Sequence, residues 1–252
     1  GVLARENDQS QITAGPIQAG AAIIGPTVKG QEDIPTLVTS YSEYQAAFGS
    51  TFLSGSNQYT FFTSISAYNY FQNGGSTLLV TRVTPGAFSE ASSSLINTGS
   101  LGSTVPSGIS PFVLSTLAEG NIMNSSGSSG SNGTLVSGSS DNFRWEITSP
   151  NTSSGVFSLL LRQGNDTQTS KQVVETYSNL SLDPLAPNYI SKVIGDQVQT
   201  VSGTGTDVYL QSSGSYPNAS RFIRVSAVNA QTPNYFNNAG TPKDIFTGSI
   251  PE

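Results

Sequence analysis

AGAAIIGPTVKG (residues 19–30), TLVTSYSEYQAAFG (36–49) and TFFTSISAYNYFQNGGSTLLVTRV (60–83) hold the clearest secondary-structure signals in this chain. Ala19–Gly25 is small and apolar and carries β-branched Ile23 and Ile24 before Gly25-Pro26, which predicts a buried strand ended by a turn. Thr36–Thr39 predicts a second short strand. Ser40 and Glu43 then stand three apart at a helix start. In such a capping box the hydroxyl accepts from the Glu43 N–H and the carboxylate reaches back to the Ser40 N–H. Tyr44, Ala47 and Phe48 follow at helical spacing, and Gly49 is a left-handed stop. A second helix is expected from about Gln58 to Gln72. Its rows are Phe62, Ile65, Asn69 and Tyr59, Phe62, Ser66, widened by Phe61, Tyr68 and Phe71. Asn73-Gly74-Gly75 ends it. The run 77–83 then predicts a strand with Leu78, Val80 and Arg82 on one face.

Working outward, the first 18 residues show weak alternation and no helical stripe, which reads as an extended arm with a short strand, or as a disordered terminus. Beyond Pro85 the composition shifts to Ser, Gly, Thr and Asn, and residues 124–140 approach low complexity. A segment of that kind buries too little apolar area to offset its chain entropy. Exposed loops and short strands are expected there, not a second tight core. FRWEIT (143–148) and VFSLLLR (156–162) predict a hairpin, with VVETYSNL (173–180) as a third strand. Asn188 is placed to cap a short helix over 189–194, stopped by Gly195. Further short strands are expected at 198–201, 208–210 and 221–228, and a turn-rich tail from Gln231.

Composition narrows the chemistry. Charged residues are 10% of the 252, against about a quarter in ordinary globular chains, and the net charge is −6. Ten Lys and Arg residues without a basic cluster cannot track a phosphate backbone, so nucleic-acid binding is excluded. Cysteine is absent, which removes disulfides and thiolate metal sites. Histidine is absent too, which removes the usual nucleophile pairs, the common zinc sites and a near-neutral imidazole base. No apolar run reaches the roughly 18 residues of a membrane span, so no direct membrane insertion is expected. The chain opens on Gly1 without a signal-peptide pattern, consistent with a start inside a longer polypeptide or after processing. A charge-poor, hydrogen-bonding surface suits a subunit packed among copies of itself. An extracellular β-protein would look similar.

Individual residues read as structural. Glu32, Asp33 and Glu43 are expected in a solvated turn and a cap, and Asp183 before Pro184 as a turn former. Asp166, Asp196 and Asp207 lack calcium-loop spacing, and Gly203-Thr204-Gly205 lacks the lysine of a phosphate loop. Trp145 and Phe143 suit strand core or interface packing better than stacking on a sugar or base. Asn132 and Asn151 head sequons that chance alone supplies in so Asn/Ser/Thr-rich a chain. No catalytic residue, cofactor or metal is expected. A hydrolase using only carboxylates stays open, since glycosidases need no His.

The ordered motifs resemble contractile tail sheath proteins. GVLARENDQSQITAGPIQAGAAIIGPTVKG is similar to their opening arm, Ala-rich strand and Gly-Pro-Thr-x-Lys-Gly turn. PTLVTSYSEYQAAFG is similar to the capped helix ending in Phe-Gly, YFQNGGSTLLVTRV to a helix end, Asn-Gly-Gly and a strand ending in Arg-Val, and LSLDPLAPNYISKVIGD to a later motif. The specificity lies in their order along roughly residues 1–84 and 156–196. The resemblance implies an α+β protein: a mixed sheet with covering helices, a β-rich inserted or outer region and an extended N-terminal arm. Its implied parts are the arm (1–18), a discontinuous core (19–85 with 156–200), a Ser/Gly-rich outer insertion (86–155) and a β-rich segment (201–252) leading into a missing C-terminal part. It also implies a virion protein assembled in the host cytoplasm, polymerising as stacked helical rings around a tail tube. The implied partners are other sheath subunits, the tube protein, and baseplate and tail terminator proteins. Val2, Leu3, Arg5 and Ile12 fall in the arm that would add to neighbouring sheets. Ser40, Glu43, Gly49 and Gly74 are structural caps. A β-rich extracellular or virion-surface module binding carbohydrate or receptor is the alternative.

Overall fold

The computed structural model describes residues 20–54, 56–94, 110–125 and 140–251. Val2, Leu3, Arg5, Ile12 and the Asn132 sequon lie outside them. The fold is mixed α/β and strand-rich, with several small sheets.

The N-terminal unit holds β1 (Ala21–Gly25), β2 (Thr36–Val38), α1 (Tyr41–Phe48), β3 (Thr51–Ser54), β4 (Asn57–Thr60), α2 (Phe62–Gln72) and β5 (Leu78–Arg82). β5 is central, with β1 parallel on one side and β2 antiparallel on the other. Leu78, Val80 and Arg82 point inward, as their alternation requires. β1 differs from the buried strand expected: as an edge strand it leaves Ile24 73% exposed.

α1 starts at Ser40, whose hydroxyl accepts from the Glu43 N–H at 3.2 Å. The other half of the capping box shifts by one residue. The Glu43 carboxylate accepts from the Thr39 N–H and hydroxyl at 2.8 Å instead of reaching the Ser40 N–H. The Thr39 N–H holds the Glu43 carboxyl below its ordinary pKa. Gly49 ends the helix at φ 72°, and its N–H donates to the Gln45 carbonyl. A side chain there would also strike Val28, with a Cβ placed 2.8 Å from that residue's own. At the end of α2, Gly75 donates to Tyr70 and Gly74 (φ 87°) to Phe71. These two bonds make a full Schellman motif.

α2 begins at Phe62, not Gln58. Thr51, Phe52, Tyr59 and Thr60 favour extended backbone, and β3 and β4 pair as a hairpin with Phe52 stacked on Tyr59 at 5.7 Å. The expected apolar stripe of α2 is also turned around. Thr63, Ser64 and Ala67 are buried, while Phe62 is 86% exposed.

The second unit is where the sequence reading differs most. It comprises β6 (Glu90–Ser94), β7 (Phe112–Glu119), β8 (Met123–Ser125), β9 (Phe143–Asn151), β10 (Val156–Gln163), β11 (Val173–Ser181), α3 (Ile190–Ile194), β12 (Val198–Ser202), β13 (Tyr209–Ser213), β14 (Ile223–Val228) and α4 (Asp244–Thr247). Sheets β14-β7-β6 and β11-β10-β9-β8 share one core with α3. Phe112 of β7 stacks on Phe157 of β10 at 5.7 Å and lies 5.5 Å from Trp145 of β9. So the stretch expected as exposed loops supplies part of the larger core, with Phe112, Leu114 and Met123 buried, beside Phe143 and Trp145 of the expected strand. The strands of 156–200 pack with these residues and with β14, whereas 21–80 form a separate cluster. The reason is that a few large side chains suffice where each is covered from two sheets at once.

Asn188 does not cap α3. Its amide donates to the Asn179 carbonyl, and Tyr189 precedes the helix without a side-chain cap. In the tail, Tyr235 reaches back to the β9–β10 hairpin and donates to the Thr152 carbonyl at 2.6 Å. Gly155 at the hairpin's end leaves room for that ring, since a Cβ there would lie 2.7 Å from it.

Candidate functional site

The most unusual surface is the outward side of α2 with the β3–β4 hairpin. α2 lies so close to β1 that a Cβ on Gly25 would come 2.5 Å from Thr63 Oγ1. Only small side chains fit at that contact, so the aromatic and branched residues are displaced to the outside. Phe62, Ile65 and Tyr68 are exposed on the helix, and Tyr59 and Leu53 on the hairpin, Leu53 to 75%. Phe61 stacks on Phe52 at 4.8 Å and ties the hairpin to the helix start. Residues 44–81 carry no charged side chain at all. Exposed apolar groups in contiguous elements, without charge among them, mark an interaction surface.

A second feature is the junction between the two units. The N–H groups of Val28 and Lys29 both donate to the Phe48 carbonyl at 3.1 Å. Arg82 Nη1 donates to the Gly30 carbonyl at 2.5 Å and, across the junction, to the Glu119 carbonyl at 2.9 Å. The Glu119 carboxylate accepts from the Glu32 N–H at 2.8 Å. Lys29 pairs with Asp141 at 3.3 Å. Glu32, expected in a solvated turn, is therefore engaged, and its carboxylate also accepts from Thr84. Burial pulls the Arg82 guanidinium below the ordinary arginine range, with Glu119 and Glu32 opposing that shift. Beside the junction lies a cleft of about 480 Å³, lined by Val38, Phe48, Leu117, Asn218, Arg221 and Phe222 among others.

The third feature is a buried ionic network on the outer side of β9–β10. Arg144 and Arg162 are opposite each other in the ladder and both fully buried. Arg162 donates to both Asp166 oxygens, through Nε at 2.6 Å and Nη2 at 2.8 Å, and through Nη1 to Glu146 at 2.9 Å. Arg144 donates to Asp166 at 3.2 Å, the Gln172 N–H donates to Asp166 at 3.0 Å, and Lys171 pairs with Glu146 at 2.5 Å. Burial, then the neighbouring Arg162 charge, lower the Arg144 pKa. Every carboxylate oxygen in the cluster already accepts a hydrogen bond. The network fastens residues 164–172 over the sheet.

Among the residues singled out in the sequence, Ser40, Glu43, Gly49 and Gly74 all sit at helix ends and are not gathered into one site. Trp145 is buried and donates to Ser93 at 3.0 Å, so its ring is not offered to a ligand. Asp183 accepts from the Leu185 N–H in its turn and from the Asn234 N–H. The Arg144–Glu146–Arg162–Asp166 network was missed. Its signal is present in FRWEIT, where charged Arg144 and Glu146 alternate with Phe143 and Trp145, but it required the β9–β10 register to place Arg162 opposite. Among the described residues no three His, Cys, Asp or Glu side chains are grouped to hold a metal, and no helix is long and apolar enough to cross a membrane. A scan of protein-family models and a search of curated proteins find no significant match to this chain.

Proposed function

We propose that the chain is a structural subunit of a contractile tail sheath, polymerising as stacked helical rings around a tube and shortening to drive that tube through an envelope. The observation that carries this reading is the convergence of the motifs that suggested it. The Gly-Pro-Thr-x-Lys-Gly turn, the Phe-Gly helix end and the Arg of the Arg-Val strand end are distant in sequence. Yet Val28 and Lys29 bond Phe48, and Arg82 bonds Gly30. Motifs that depend on one another in space are harder to attribute to chance than isolated tripeptides. The uncharged apolar surface of α2 and β3–β4 also fits a subunit covered by its neighbours.

In this reading the work comes from interfaces. Each copy gains a modest free energy on passing from an extended to a contracted packing, and connected copies pass the change from ring to ring without nucleotide hydrolysis. Negative-stain microscopy of purified full-length protein should show tubular polysheaths. Monomers persisting at high concentration across several salt conditions would overturn the reading. Deleting Val2–Ile12 should stop assembly while leaving the circular-dichroism spectrum of the core unchanged.

The second reading, a β-rich virion-surface or extracellular module, is favoured by one observation: the larger core is built by the β-rich unit. Glycan-array binding by a protein that forms no tubes would select it.

A further inference from the structure

We propose that Asn73-Gly74, at the C-terminal end of α2, is a latent self-modification site, and that the helix-ending turn gates its conversion to aspartate and isoaspartate. The inference goes beyond the proposed function and does not depend on it. Asn73 and Gly74 are both exposed, and a Cβ on Gly74 would meet nothing within 4 Å. A glycine nitrogen has no side chain beside it and a permissive backbone, so it can reach the side chain of the residue before it. The Gly74 nitrogen loses its proton to hydroxide and attacks the Asn73 side-chain carbonyl carbon. The bond from that carbon to Nδ2 breaks, and ammonia leaves with a proton from water. The five-membered succinimide then takes up one water and opens at either carbonyl, which gives aspartate or isoaspartate. The only co-reactant consumed overall is one water.

The folded turn opposes this step at both reacting groups. Asn73 Nδ2 donates to the Asn69 carbonyl at 2.7 Å, and the Asn73 N–H donates to the same oxygen at 3.0 Å. The leaving amide is thus turned back along the helix. The Gly74 N–H, whose proton must be lost, donates to the Phe71 carbonyl at 3.2 Å. A carbonyl oxygen facing that nitrogen disfavours the anion that attacks. The Gly75 N–H closes the turn on the Tyr70 carbonyl at 3.0 Å, and a Cβ on Gly75 would overlap the Tyr70 ring. Tyr70 is itself held, since its hydroxyl donates to the Thr77 carbonyl at 2.7 Å. Reaction therefore waits for the turn to open, and helix ends are among the parts of a fold that open at least cost.

The product undoes its own restraint. Its carboxylate is the first charge between residues 44 and 81, and it stands at the negative end of the α2 dipole. The group that donated to Asn69 becomes an acceptor. Isoaspartate also adds a methylene to the main chain, directly before the glycines that lead into β5.

The test holds the folded full chain and the guanidinium-unfolded chain at one mildly alkaline pH. Peptide mapping by mass spectrometry reads aspartate and isoaspartate at residue 73, with Asn73→Gln as the blank. Asn132-Gly133, the other Asn-Gly in the sequence, is followed in the same digests as a reference for the conditions. Asn73 should convert about tenfold or more slowly in the folded chain than in the unfolded one. Gly75→Ala drives a methyl into Tyr70 and should close much of that gap, with circular dichroism showing that the fold is kept. Tyr70→Phe, which removes only the hydroxyl's bond to Thr77, is the second opening variant should the first not fold. Equal rates in folded and unfolded wild type would overturn the gate. No conversion at Asn73 in the unfolded chain would overturn the site itself. Folded variants that convert at the wild-type rate would overturn the assignment of the gate to this turn.

Discussion

In the N-terminal unit, α2 turns Thr63, Ser64 and Ala67 inward and leaves Phe62 and Ile65 in solvent; in the β-rich unit, Phe112, Trp145 and Phe157 are inward and even Arg144 and Arg162 are covered. The first unit holds back apolar area that its own core does not use. The second buries its largest core side chains, Arg144 and Arg162 included, and leaves its exposed apolar residues, such as Leu185 and Tyr209, in loops and in the β12–β13 ribbon. One chain thus contains a unit with a large core shared by two sheets and a unit whose helix puts its small face inward and its large residues outward. Under the proposed function, stability and assembly rest on different residues, and each can be altered without the other.

The largest effect is expected in the closed unit. Arg162→Ala strips Asp166 of two charged hydrogen bonds and Glu146 of one, leaving buried Asp166 only the longer Arg144 pair and Glu146 only Lys171. Breaking a buried pair in this way costs about 3–5 kcal/mol. Urea denaturation should register that loss, and a change below about 1 kcal/mol would mean that the network is not holding residues 164–172. Next come the two sides of α2. Ala67→Leu crowds a fully buried position and should cost about 1–3 kcal/mol. Phe62→Asp, five residues away, should stay within about 0.5 kcal/mol of wild type in the same titration. Equal losses at the two positions would erase the inside-out character assigned to this helix.

A smaller effect belongs to the start of α1. Ser40→Ala should cost about 1 kcal/mol by removing the acceptor for the Glu43 N–H. Glu43 adds a pH signature. Its folded pKa lies below the unfolded one, so its contribution is complete above the unfolded value of about 4.3 and is lost as pH falls through the folded value. Glu43→Gln should therefore lower the urea midpoint at pH 7 and converge with wild type at strongly acid pH. A difference independent of pH would assign the effect to something other than the carboxylate's bonds to Thr39.

What the sequence revealed follows the range of the forces involved. Ser40, Gly49, Gly74 and the alternation of Leu78, Val80 and Arg82 are local signals, and they stand where expected because capping and pleating are decided within a few residues. The facing of α2 is not local. Its stripe reads as core until Gly25 and Thr63 are known to meet, since only that approach forces the small face inward. The second core was equally hidden. Phe112 and Met123 lie in Ser-rich surroundings, and their value depends on two sheets arriving from distant parts of the chain. The ionic network required a cross-strand register as well as residue types.

The junction around Arg82 has a mechanical consequence. Its bonds are few and directional: Arg82 to the Glu119 carbonyl, Glu32 to the Glu119 carboxylate, and Lys29 to Asp141. Such bonds yield over a fraction of an ångström, and the cleft of about 480 Å³ beside them gives water room to replace a lost partner. A load carried between the two units therefore tilts one against the other before it disturbs either core. Of these bonds the Lys29–Asp141 ion pair is the one that rising ionic strength weakens, so the seam loosens first at that end.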